Sequence, residues 1–159
     1  SDEYEVYITP TYQSAADILE TGAEIIALDA TPRRRPGGET PEEILRQIRE
    51  HYPDALVMGE ISTLEEAERI IPMGFDLIST TLSGYTRESQ EVKAVNLDLI
   101  RQIHAITDIP IIAEGKIRCE QEAVEALKAG AHAVVVGTSI TRPEIITERY
   151  VEAIREAED

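Results

Sequence analysis

Ala129–Pro143 reads AGAHAVVVGTSITRP. The stretch ends a helical pattern, turns at Gly130, runs as an apolar strand over Ala133–Gly137 and breaks into Gly, Thr, Ser and Arg. Consecutive β-branched residues such as Val134, Val135 and Val136 call for cover on both faces, which a parallel sheet under helices provides. The polar break falls at the C-terminal end of the strand, the edge where such sheets bind ligands. The same joint occurs twice more, as TGAEIIAL (Thr21–Leu28) and MGFDLIST (Met73–Thr80). Gly22, Gly74 and Gly130 sit where a helix C-cap takes a left-handed residue. The joints between them, HYPDALV (His51–Val57) and TDIPIIA (Thr107–Ala113), use proline instead. A period of two βα units is the internal symmetry expected of a (βα) barrel built from quarter-barrels.

Working outward, helices are expected over 12–20, 40–51, 64–71, 96–106, 120–129 and 142–157. Strands are expected over 24–31, 55–61, 76–81, 110–113 and 133–137, with a short extended stretch at Val6–Thr9. Thr40, Pro41 and Glu43 form an N-terminal signature of cap, first-turn proline and capping-box acid. Five strands in 159 residues are too few for an eight-stranded barrel, which takes roughly 200 residues or more. The expected fold is therefore α/β: a single (βα)-repeat domain over 1–159. It is either a partial TIM barrel of about five parallel strands or a rearranged open sheet of the flavodoxin-like kind.

The chain carries 31 acidic and 15 basic residues, a net charge of -16. That balance argues against nucleic acid and anionic membrane as partners, but leaves room for a local phosphate site. No apolar run approaches the ~20 residues of a membrane span, and the opening Ser1–Glu5 is acidic and polar, unlike a signal peptide. One cysteine, Cys119, excludes an internal disulfide and fits a reducing cytosol. Cytoplasmic localisation is expected. His51, His104, His132 and Cys119 have no metal-ligand spacing.

Four strand-end strings hold the candidate chemistry. In Ala113-Glu114-Gly115-Lys116 and Gly137-Thr138-Ser139, glycine lets backbone N–H groups approach an anion, and a nearby helix N-terminus would add its dipole. The plainer reading is two tight turns that need glycine for steric reasons. Glu114 points from a strand end toward a cleft, where apolar walls would raise its pKa and suit it to acid/base work. Alternatively it is salt-bridged to Lys116 or Arg142. Asp29 could orient a substrate hydroxyl, or simply turn the chain into its loop. Arg33 and Arg35 point to a phosphate or carboxylate partner, while Arg34 is expected at the surface. Ser83, Tyr85 and Thr86 around Gly84 supply hydroxyls for a sugar.

These strings carry a resemblance. IALDATPRRRP (Ile26–Pro36), TTLSGYT (Thr80–Thr86), IIAEGKI (Ile111–Ile117) and VVVGTSITRPEIIT (Val134–Thr147), with VYITPT (Val6–Thr11), resemble the N-acetylmannosamine-6-phosphate 2-epimerases over nearly the whole chain. The resemblance implies a TIM barrel without a cofactor. It also implies a phosphorylated amino-sugar substrate, and a reaction that removes and returns the proton at C2 beside the carbonyl of the ring-opened sugar. It matches Glu114, Asp29 and Arg142 to the family's active-site glutamate, aspartate and arginine. Gly115, Gly137 and Thr138 match its phosphate-cradling turns.

The same resemblance implies departures. The family's first three strands carry a glutamine, an arginine and the lysine that serves as base, the lysine just before the segment beginning here at Glu3. The chain's own Lys93, Lys116 and Lys128 do not occupy that motif, and Glu60 stands where the family commonly has Asp. The sequence thus reads as the last five βα units of an epimerase, with impaired activity expected of it alone. Open sheet edges are expected to drive it to homo-oligomers. Two other readings stand beside this one: a non-catalytic truncated or engineered barrel fragment retaining a phosphate site, and another phosphosugar-processing barrel enzyme.

Overall fold

The computed structural model describes Val6 and residues 8–157. Five parallel strands form one sheet in the order β1-β2-β3-β4-β5: β1 (Ile25–Asp29), β2 (Leu56–Glu60), β3 (Leu77–Ser79), β4 (Ile111–Glu114) and β5 (Ala133–Val135). Each strand pairs with its sequence neighbour, as in an arc of a barrel. A flavodoxin-like sheet would begin mid-sheet and place β2 outside β1, so the strand order decides for the partial barrel. The sheet is not closed. Of the expected stretch Val6–Thr9, Tyr7 lies outside the described residues. Ile8 and Thr9 form a bend, with Thr9 at φ 43°, and the Ile8 carbonyl accepts from Asp29 N at 3.3 Å.

The helices are α1 (Tyr12–Leu19), α2 (Pro41–His51), α3 (Leu64–Ile70), α4 (Leu97–His104), α5 (Glu120–Lys128), a single turn α6 (Thr138–Thr141) and α7 (Pro143–Glu156). Their starts follow local chemistry. The Thr40–Glu43 capping box is formed, and a second one joins Thr63 and Glu66. Asn96 caps α4 through its side chain. Gly22, Gly74 and Gly130 hold φ of 88°, 92° and 114°. At α5, Gly130 N bonds Leu127 O and Ala131 N bonds Ala126 O, the paired pattern of a Schellman stop.

Strand alternation sorts the side chains. Ile26, Leu28, Val57, Ile78, Ile111 and Ala113 pack with Ile44, Ile48, Ile70, Ile100 and Ile103 of the helices into one core. The other face is open: Ile25, Leu56 and Val135 are 49%, 44% and 41% exposed. The expectation that β5 is buried on both faces therefore fails in the described residues. Five strands in an open arc leave the inward row without an opposite wall. That open face carries the row Asp29, Glu60 and Ser79 in direct register, with Thr81 and Glu114 beyond it.

Candidate active site at the strand ends

At the C-terminal ends of the strands a cavity of about 630 Å³ opens between β1, β3, β4 and β5. It brings together Asp29, Arg33, Tyr85, Glu114, Gly115, Lys116, Gly137 and Thr138 from the sequence expectations. Thr81, Arg118, Ser139 and Arg149 also line it.

Glu114 ends β4 half-buried. Burial raises its pKa, partly offset by the Thr81 hydroxyl. Its backbone is fixed across the sheet: Thr80 Oγ1 donates to Glu114 O at 3.0 Å and lies 3.2 Å from Glu114 N. Gly115 follows at φ 96°, and a Cβ there would stand 3.1 Å from Thr81 O. Lys116 keeps a positive φ of 59° without being glycine. Its Nζ sits 4.0 Å from the centre of the Tyr85 ring rather than on Glu114, and its Cε occupies the space a Gly84 side chain would need. Burial first, then Lys93 and Arg118, lower its pKa.

Asp29 is fully buried and saturated. It accepts from Thr31 N at 2.9 Å, Thr31 Oγ1 at 2.6 Å and Arg33 Nη2 at 2.6 Å. Arg35 Nη2 reaches its Oδ1 at 3.3 Å and also donates to the Asp29 carbonyl. The carboxylate holds its own loop, the plainer of the two readings of Asp29, and thereby presents Arg33 to the cavity. Arg35 is 3% exposed beneath it and does not line the cavity.

Three further expected residues stand apart from the cavity. Arg142 is exposed and pairs with Glu144 at 2.7 Å. The one-turn α6 precedes it, and the arginine of α7 that lines the cavity is Arg149, seven residues on. Arg149 donates to Arg118 O at 2.9 Å, and Arg118 donates to Lys93 O at 3.0 Å. Ser83 is buried and accepts from Asn96 Nδ2 at 3.0 Å; it anchors the loop rather than offering a hydroxyl to the cavity. Thr86 is likewise buried, bonded to Ser62 and Ser89.

Sequence reasoning passed over Thr81 and Glu60 as site residues, although both follow from counting alternate residues along β2 and β3. Glu60 is 3% exposed. Burial and the charge of Glu114 push it up to about 7, against the Thr81 hydrogen bond and with a further push from Asp29. Arg149 had no such signal, because only the packing of α7 decides which of its side chains faces the strand ends. Among the described residues no cluster of three or more His, Cys, Asp or Glu side chains is placed to hold a metal. No helix among them is long and apolar enough to cross a membrane.

One cavity thus holds the carboxyl of Glu114 together with the cationic side chains of Lys116, Arg118 and Arg149. The family model described as "Putative N-acetylmannosamine-6-phosphate epimerase" matches residues 1–156. A relative from Caldanaerobacter subterraneus subsp. tengcongensis, named "Putative N-acetylmannosamine-6-phosphate 2-epimerase", is 52% identical over 153 residues. The match covers 96% of this chain and 65% of that one. The solved N-acetylmannosamine-6-phosphate 2-epimerase from Clostridium perfringens superposes with a TM-score of 0.89 at 43% identity, over 96% of this chain and 66% of its own. The chain thus spans about two thirds of these relatives' length. An aldolase, QR15, shares the fold alone, at a TM-score of 0.62 and 21% identity.

Proposed function

The chain belongs to the N-acetylmannosamine-6-phosphate epimerase family, and on that premise we propose that it supplies one acid/base face of a 2-epimerase. The reaction interconverts N-acetylmannosamine 6-phosphate and N-acetylglucosamine 6-phosphate. The observation that carries this reading is the half-buried Glu114, raised in pKa, within one cavity with the turns Gly115–Lys116 and Gly137–Ser139. The sugar phosphate sits against those turns, neutralised by Lys116, Arg118 and Arg149. The ring-opened sugar then lies with C2 toward Glu114. Removal of the C2 proton leaves an enolate across C1 and C2, and its oxygen gains from the nearby cation Arg33.

Inversion at C2 requires the proton to leave one face and a proton to arrive on the other. Glu114 serves one face; the family resemblance gives the other to a lysine. Lys93 and Lys128 are exposed away from the cavity, and Lys116 is engaged on Tyr85. The 159 residues alone are therefore expected to turn over weakly. A second reading, phosphate binding without turnover, is favoured by the cationic rim on a chain of net charge -16. We also propose that copies associate through the open edges β1 and β5, with a stable monomer in light scattering at high concentration as the contrary result. A cytosolic location accords with a single unpaired Cys119.

The test is proton NMR of N-acetylmannosamine 6-phosphate in D2O. Loss of the C2 proton signal with appearance of the epimer supports the reading, and Glu114→Gln must then lower that rate. Wild-type rates in Glu114→Gln remove the residue from the mechanism. Phosphate binding with no exchange at all selects the second reading.

A further inference from the structure

The β1–β2 ladder stops where α3 takes over both halves of its next rung. Leu56 N donates to Glu24 O at 3.1 Å at the start of the pair, and Ala30 N donates to Glu60 O at 2.9 Å at its end. With Asp29 opposite Glu60, the next bond of a parallel ladder would run from Ser62 N to Ala30 O. Ser62 N goes instead to the Glu66 carboxylate at 2.7 Å, and Ala30 O accepts from Arg69 Nη2. Glu66 and Arg69 stand at i and i+3 of α3, neighbours on one face of the helix.

The bond to Arg69 bears on the cavity through one peptide plane. Ala30 C=O and Thr31 N–H belong to the same planar unit. Arg69 holds its oxygen, and Asp29 Oδ1 accepts from its N–H at 2.9 Å. Thr31 is thereby fixed, and its Oγ1 accepts from Arg33 Nε at 2.9 Å. Arg33 Nη2 closes the ring on Asp29 Oδ2 at 2.6 Å. The carbonyls on either side, Asp29 O and Thr31 O, accept from Arg35. Three successive carbonyls of the turn are thus bonded to guanidinium groups. Ala30 and Thr31 are fully buried, so a carbonyl released by Arg69 loses its donor without gaining solvent.

We infer that Arg69 is a positioning residue for Arg33: by holding the Ala30 carbonyl it fixes the turn in the orientation that points Arg33 at the cavity. Arg33 lines the cavity with 16% of its side chain exposed. Arg69 does not line it and acts from α3, 39 residues along the chain from the carbonyl it holds. The inference rests on the role proposed for Arg33 at the enolate oxygen and deepens it. Charge on that oxygen develops in the transition state, whereas the phosphate is held by other cations. Loss of Arg69 should therefore lower turnover more than binding.

The experiment is a nitrogen-15 NMR measurement of arginine Nε–H exchange in the whole 159-residue chain, with the Arg33 signal identified by its loss in Arg33→Lys. Arg69→Met keeps the packing of the stem and removes the donor. In it the Arg33 Nε–H should exchange about fivefold faster or more. The Val57 amide, bonded to Asp76 near the other end of β2, should keep its wild-type rate. Arg69→Lys restores one donor and should recover part of the protection. An unchanged Arg33 Nε–H rate in Arg69→Met overturns the inference. So does a rise shared equally by Val57, which marks Arg69 as a contact for stability alone. If Arg69→Met fails to fold by circular dichroism, Arg69→Gln takes its place under the same criteria. With N-acetylmannosamine 6-phosphate, Arg69→Met should slow C2 proton exchange at saturation about fivefold while KM moves less than about twofold. A raised KM at an unchanged saturated rate overturns the inference as well. Absence of C2 exchange in the wild-type chain counts against the proposed function, whereas the arginine measurement needs no substrate and still decides on Arg69.

Discussion

Asp29 and Glu60 are direct neighbours in the β1–β2 register, yet they hold opposite electrostatic positions. Asp29 is surrounded by donors and two guanidinium groups. Glu60 has an unpartnered oxygen and a second carboxylate nearby. Two adjacent strand-end acids are thereby divided into one locked in ion pairs and one that charges only near neutral pH.

The stability of the chain should record that difference. The folded state holds the Glu60 proton up to about pH 7, against an ordinary value of 4.5. Between those values the folded state binds more protons than the unfolded one, so stability falls as pH rises through the window. Glu60→Gln removes this pH dependence. Relative to wild type, the variant should gain on the order of 3 kcal/mol between pH 4.5 and pH 8. Urea melts at the two pH values measure it, and parallel pH dependence in the two proteins would refute the burial of an ionisable Glu60.

Asp29→Asn should act in the reverse sense. The amide keeps an acceptor for Thr31 but leaves Arg35, 3% exposed, without its counter-charge. Breaking a buried pair from one side costs about 3–5 kcal/mol, visible as a lowered urea midpoint at pH 7. A loss below about 1 kcal/mol would mean that the Thr31 hydrogen bonds alone hold the turn.

Gly115→Ala tests the link between backbone shape and the acid. At φ 96° an L side chain is strained, and the added Cβ would press on the Thr81 carbonyl at 3.1 Å. The turn must shift, carrying Glu114 with it. The expected result is a fall in C2 proton exchange of tenfold or more, roughly 1.4 kcal/mol, with the fold intact by circular dichroism. Unchanged exchange would show that the turn tolerates the strain without moving the acid.

The fold was readable because its signals are local. Thr40, Pro41 and Glu43 announce a helix start through their own hydrogen bonds, and Gly22, Gly74 and Gly130 announce helix ends through their φ. Strand alternation likewise carries Glu114 and Asp29 to the correct edge of the sheet. Ser83 and Arg142 were not readable in this way. Ser83 is drawn inward by Asn96, thirteen residues away, and Arg142, after the single helical turn Thr138–Thr141, pairs with Glu144 at the surface. Glu60 lies between these cases: its place on the face follows from alternation, but its protonation depends on Glu114 and Thr81 from two other strands.

Arg142 and Arg149 therefore provide the sharpest comparison. The family resemblance assigns the active-site arginine to Arg142, whereas the geometry puts Arg149 at the cavity and pairs Arg142 with Glu144 at the surface. Calorimetric titration of the whole chain with N-acetylmannosamine 6-phosphate separates them. Arg149→Ala removes a cation from the anion rim and should weaken binding about tenfold. Arg142→Ala breaks an exposed pair of little worth and should change it by less than about twofold. Both variants should keep the wild-type melting temperature, since neither side chain is buried. The weakening in Arg149→Ala should shrink as salt rises, because the lost contact is charge on charge and partly solvated. A reversed order, with Arg142→Ala the more damaging, would mean that α6 and the start of α7 turn inward when the sugar phosphate binds.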